Sequence, residues 1–241
     1  MLKIVTTEWK LFLRDPSMVV FAVLFPTILL LVLGAIPALR TPDPNFGNQR
    51  FVDAYMSSLV VVTLAFLGLN KLPTTVATYR EKGVLRRFST TPVHPARLLV
   101  AQVVVNVIAG VISIVLLMVA ARLVFDIDLP HHPLGFLLTF LLGMLSLSAI
   151  GLLVAAWAPT ARSAGGWATV VFMLVMFFGG VYLPRFLLPD FLTVIGDYLP
   201  PGVGALQESW LGGSPDPVHL GVLALVTAVA GTVAAKSFRW E

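Results

Sequence analysis

The sequence contains no cysteine. Disulfides, thiol catalysis and zinc-thiolate sites are thereby excluded, and the redox compartment cannot be inferred from cysteine usage. Charge is scarce too: Asp, Glu, Lys and Arg make up 12% of the 241 residues, about half the share of an ordinary soluble domain. So few polar side chains cannot coat a second soluble domain beside an apolar core. No carboxylate, histidine or lysine falls near the middle of an apolar run, where a proton-driven carrier generally needs one. His131 and His132 lack a Glu-x-x-His partner, and no spacing of acids and hydroxyls implies metal or nucleophilic chemistry. Catalysis by this chain and a resident metal are not expected. A three-plus-three internal repeat, common in secondary transporters, is also missing.

What the chain has in abundance is apolar length. Hydrophobic residues make up 58%, and the mean hydropathy is +0.93. Six apolar runs cover 18–39, 54–69, 98–121, 134–158, 164–183 and 218–235, against the roughly 17–25 residues a helix needs to span hydrocarbon. The fold class expected is an all-α polytopic membrane protein with six transmembrane helices, forming a single domain over 1–241. The second run is short, so the helix is expected to continue past Asn70 and Lys71, with the lysine snorkelling to the interface. The first run exceeds the 7–15-residue core of a signal peptide and lacks a clean cleavage site, so it is read as a retained span.

Before that run, Leu2, Val5, Trp9, Phe12 and Leu13 fall on one helical arc, flanked by Lys3, Lys10 and Arg14. This pattern predicts an amphipathic helix over 1–16 lying in the membrane interface, stopped by Asp15 and Pro16. Six spans put both termini on one side. Twelve of the sixteen basic residues then share that side, leaving Arg40, Arg50, Arg122 and Arg185 opposite. The positive-inside rule makes the terminal side cytoplasmic. The basic surplus is an inner-face belt in contact with membrane lipid, and no nucleic acid is implied.

The longest cytoplasmic connection, 79–97, contains Val84, Leu85 and Phe88 as an apolar edge, Arg86 and Arg87 as cations, and Pro92 and Pro95 as stops. Composition alone allows either a solvated topological loop or a docking element. The order Tyr-Arg-Glu-Lys-Gly at 79–83, Leu-Arg-Arg-Phe at 85–88 and Thr-Thr-Pro at 90–92 resembles the coupling loop of type-2 ABC exporter permeases, the group that includes daunorubicin-resistance-type permeases. The resemblance covers essentially the whole chain. It implies a permease subunit in the cytoplasmic membrane of a prokaryote, paired with a second permease copy or a homologous permease. Two cytoplasmic ABC ATPase subunits would bind the Mg-ATP, and the exported compound would be a drug or another hydrophobic or amphiphilic molecule.

On the family pattern Glu81 and Gly83 form a Glu-x-Gly element, and Thr91 and Pro92 a Thr-Pro element. Arg86, Arg87 and Phe88 would contact the ATPase with Glu81, Gly83 permitting close backbone approach. The chain carries no nucleotide site of its own, because 231–237 lacks the second glycine of a phosphate loop and ends an apolar run. An importer permease would show its Glu-Ala-Ala loop, which is missing here. Two rivals remain: an exporter of lipid or lipid-linked polysaccharide, and a non-transporting assembly or regulatory protein of the same fold.

The segment 184–217 is too interrupted for a seventh span, and short interfacial or re-entrant helices are expected there, closing the outer end of a pathway. Gly135, Thr139, Gly143, Gly151 and Ala155 in the fourth span, and Gly221, Ala224, Ala228, Gly231 and Ala235 in the sixth, read as small-residue packing seams. Gln102 and Asn106 read as interhelical hydrogen-bond partners. Phe21, Phe25, Phe66, Phe172, Phe177, Phe178 and Tyr182 are candidate linings of an apolar substrate pathway.

Overall fold

Proline and glycine decide where the helices start, loosen and stop. The computed structural model describes residues 1–44, 48–84, 87 and 96–237, with the side chain of Phe186 excepted. A short helix α1 (Leu2–Leu13) precedes α2 (Pro16–Gly34), which Asp15 caps by accepting from the Met18 N–H at 3.2 Å. There follow α3 (Phe51–Glu81), α4 (Ala96–Phe125), α5 (Pro133–Trp157) and α6 (Ala161–Phe178), then short helices α7 (Asp190–Tyr198) and α8 (Val203–Leu211), and last α9 (Pro217–Ser237). Among the described residues, α2 to α6 and α9 are the helices long and apolar enough to cross a membrane. Six crossings put both termini at one end of the bundle, the terminal face.

The second span differs most from its apolar run. It extends to 31 residues, and 83% of an apolar 18-residue stretch of it is buried, against 22% of the corresponding stretches of α6 and α9, so α3 is the axis around which the other spans pack. Met56 to Ala65 are buried without interruption. At about 1.5 Å per residue, α3 is longer than the roughly 30 Å of hydrocarbon, and its last turns carry Tyr79, Arg80 and Glu81 out to the terminal face.

Two π-helical segments interrupt the spans, Val20–Leu24 in α2 and Phe66–Lys71 in α3. Each ends two residues before a proline, Pro26 and Pro73. A proline has no N–H for the preceding turn and crowds the carbonyl four residues back, so the wider turn accommodates it. Both loosened segments lie in the aromatic and polar region described below.

The fourth-span seam packs as its spacing predicts. Gly135, Thr139, Gly143, Gly151 and Ala155 are all buried. At Gly68 an added Cβ would meet Leu147 Cβ at 2.8 Å, and at Gly151 it would press on the Gly68 carbonyl oxygen, so α5 and α3 touch backbone to backbone at the π segment. The sixth-span seam behaves differently. Gly221, Ala224, Ala228 and Ala235 are exposed, while His219, Leu223, Ala230 and Ala234 are the buried residues of α9. Apart from Gly231, half-buried with Ala149 Cβ 4.0 Å from an added Cβ, the seam lies on a smooth outer face.

At the far face, a two-stranded hairpin (Pro42–Asp43 with Gln49–Arg50) leads into α3. Arg50 binds Asp53 through Nε at 2.6 Å and Nη2 at 2.8 Å, and donates from Nη1 to the Phe125 carbonyl at 3.0 Å, tying the start of α3 to the end of α4. The helices α7 and α8 have nine residues each, too few to span. Most of α8 is buried, with Trp210 edge-on to Phe136 of α5 at 5.5 Å. Arg185 pairs with Asp197, fixing the chain between α6 and α7.

Candidate functional site

Three consecutive residues at the end of α3 each reach a different element. The Tyr79 hydroxyl donates to Glu8 Oε2 of α1 at 2.8 Å. Arg80 donates from Nη1 to the Ala155 carbonyl at 3.0 Å and from Nη2 to the Ala158 carbonyl, neutralising the carbonyl end of α5. Glu81 Oε1 accepts from the Ala161 N–H at 2.7 Å, the first residue of α6. The N-terminal dipole of α6 favours that negative charge, and a capping box between Thr160 and Ser163 completes the turn. The end of α3 therefore grips α1, α5 and α6 together on the terminal face.

Gly83 has φ +65 and nothing within 4 Å of an added Cβ. Its role in the chain is to stop α3: the Gly83 N–H donates to the Arg80 carbonyl at 3.0 Å, and the left-handed conformation suits glycine. The backbone then turns again, with the Arg87 N–H donating to the Gly83 carbonyl at 3.0 Å and the Arg87 side chain exposed. Arg86, Phe88, Thr91 and Pro92, the other expected coupling residues, lie outside the described residues.

Beneath this grip lies a polar cluster. Glu8 is 7% exposed and receives hydrogen bonds on Oε2 from Tyr79 and from Gln102 Nε2 of α4. Burial is the largest influence on the Glu8 carboxyl and pushes it above the usual glutamate value, against the lowering by Tyr79, Lys71 and Gln102. Lys71 does not snorkel. It is 6% exposed, its ammonium sits 4.4 Å over the Phe12 ring, and it donates to Asn106 Oδ1 at 3.3 Å. Asn106 Nδ2 in turn donates to the Leu67 carbonyl at 3.0 Å, inside the π segment. The sequence reading of Gln102 and Asn106 as interhelical partners holds. It missed Glu8, whose signal was a lone acid on the helical face that also carries Val5 and Phe12.

Of the seven aromatics singled out, four converge. Phe66 lies 6.0 Å from Phe21, 6.1 Å from Phe25 and 5.0 Å from Phe172, joining α2, α3 and α6 through the two π segments. Phe21 is 49% exposed at the edge of the group. Phe177 and Phe178 pair edge-on with each other at 5.3 Å, more than a turn further along α6. Tyr182 lies beyond the end of α6, 59% exposed.

Comparison with known proteins places these features in a family context. The family model described as "ABC-2 type transporter" matches residues 2–201, from α1 to the turn between α7 and α8. The chain is also similar to the Bacillus subtilis protein named "Putative transport permease YvfS", with 27% identity over 213 residues, covering 86% of this chain and 84% of that protein.

Proposed function

Because the chain belongs to the ABC-2 type transporter family and is an ABC transporter permease subunit, we propose that it exports a hydrophobic or amphiphilic compound of the drug or antibiotic class. The energy comes from Mg-ATP hydrolysed by a separate cytoplasmic ATPase subunit, two per complex. The permease works as a pair with a second copy or a homologous permease. Both termini face the cytoplasm, in accord with the twelve-to-four distribution of basic residues. The loop 79–97 receives the ATPase, and movement passes to α1, α5 and α6 through Tyr79, Arg80 and Glu81.

The observation that carries the substrate reading is the convergence of Phe21, Phe25, Phe66 and Phe172 at two π-helical segments. Wider turns of this kind often mark functional positions in helices, and aromatic faces suit an apolar or cationic amphiphile. The substrate enters from the inner leaflet along the exposed edge at Phe21, and the α7–α8 segment closes the far end. ATP-dependent uptake of fluorescent amphiphiles into inside-out vesicles containing the permease and its cognate ATPase tests this. Uptake that falls in F66A and F172A supports the reading; no ATP-dependent uptake of any amphiphile offered contradicts it.

A further inference from the structure

A cavity of about 240 Å³ opens on the terminal face between α1, the start of α2, α3 and α4. Its polar lining includes Glu8, Asp15, Lys71 and Gln102. Gln102 is 1% exposed and spends its amide N–H on Glu8, which leaves Oε1 buried with no hydrogen-bond partner. Such an acceptor is costly to bury unless a donor arrives to meet it. Both hydrogen bonds to Glu8 fall on Oε2, which keeps Oε1 for another donor, and Asp15, whose Oδ1 accepts from Ser17 and Met18, is a second carboxylate in the lining. Lys71 supplies the opposite charge, with one of its three donors directed to Asn106.

We propose that this cavity binds the phosphoethanolamine headgroup of a phospholipid. The primary ammonium donates to Gln102 Oε1 and to Glu8 Oε1, and the phosphate meets Lys71. At roughly 30 Å³ per water, the cavity has the volume of about eight waters, comparable to the handful of non-hydrogen atoms in that headgroup. The lipid source follows from the rim. Leu11, Phe12 and Met18 line the cavity beside its polar groups, and Leu11 is 46% exposed on α1, which gives acyl chains an apolar exit past Leu11. A quaternary choline headgroup carries the same two charges without an N–H, and it leaves the Gln102 acceptor unmet. The inference rests on the cavity and not on the export reading.

The test titrates the purified full-length chain in detergent and reads bound lipid by native mass spectrometry. The lipids are phosphatidylethanolamine, phosphatidylcholine and phosphatidylglycerol of identical acyl chains, with soluble phosphoethanolamine as a further arm. Phosphatidylethanolamine binds about tenfold tighter than phosphatidylcholine, the size expected of one charge-assisted hydrogen bond. Glu8→Gln, which still accepts from Tyr79, erases that preference. Leu11→Trp obstructs the mouth while leaving every polar group in place, and it weakens phosphatidylethanolamine binding as well. Equal binding of the ethanolamine and choline lipids, or unchanged preference in both variants, overturns the site. Soluble phosphoethanolamine binding as tightly as the lipid overturns the lipid source.

Discussion

The Tyr79 hydroxyl donates to Glu8 Oε2 at 2.8 Å, joining the end of the central span to the helix that precedes the first one. The two residues are 71 positions apart, and their contact ties α1 to α3. Removing the hydroxyl leaves a buried carboxylate with one donor fewer. Tyr79→Phe is expected to destabilise the protein by about 1–3 kcal/mol, read as a lowered thermal midpoint in detergent. An unchanged midpoint would show that the contact holds nothing.

Backbone contact between α3 and α5 makes a sharp contrast with the outer seam of α9. Any side chain at Gly151 drives into the Gly68 carbonyl, whereas an added Cβ at Gly221 meets nothing within 4 Å. Gly151→Val is expected to cost several kcal/mol, of order an overpacked core site or more, and to abolish a monodisperse peak in size-exclusion chromatography. Gly221→Val should leave the folded chain intact.

Arg80 and Glu81 brace the short connection between α5 and α6 rather than pointing only at a partner. Arg80→Ala exposes the carbonyl end of α5, and Glu81→Ala uncaps α6. In the complex, either variant is expected to keep the ATPase bound and hydrolysing while transport per ATP falls. The check is paired ATPase and uptake measurements on the same vesicles; loss of both activities together with ATPase release would place these residues in docking alone.

The polar cluster makes stability depend on pH. The Glu8 carboxyl is raised above 4.5 in the folded chain, chiefly by burial, so across that interval the folded state holds a proton the unfolded state has lost. Stability then falls as pH rises from the ordinary glutamate value through the raised one. Asp15 has the opposite sign: the Ser17 hydroxyl, foremost, and the Met18 N–H hold it below 3.8. Its contribution is present above 3.8 and is lost as pH falls through the depressed value. Thermal midpoints from about pH 4 to about pH 8 should decline over the lower part of that range, and Glu8→Gln should flatten the decline.

Long-range periodicity made the six spans legible in the sequence, because helix-forming apolar runs need no knowledge of their neighbours. The fourth-span seam was legible for the same reason. The continuation of α3 past Asn70 and Lys71 was expected, because the second apolar run is too short to span alone, whereas the enclosure of Lys71 between Phe12 of α1 and Asn106 of α4 was not. Lys71 was expected to snorkel because a lone lysine normally seeks water, yet the Phe12 ring and Asn106 supply a substitute environment. Glu8 was invisible as a site because its partners lie 71 and 94 positions away. Among the aromatics, one-dimensional order could not tell the four that converge at the π segments from the three that do not.

Binding of the cognate ATPase to the purified permease tests the central claim most directly. The permease is captured from detergent-solubilised membranes, and the retained ATPase is quantified for the wild type and for a variant with Arg86→Glu and Arg87→Glu. The account predicts a stable complex with one ATPase per permease chain in the wild type and its loss in the charge-reversed variant. No ATPase retained by the wild type, or full binding and transport in the variant, would contradict it.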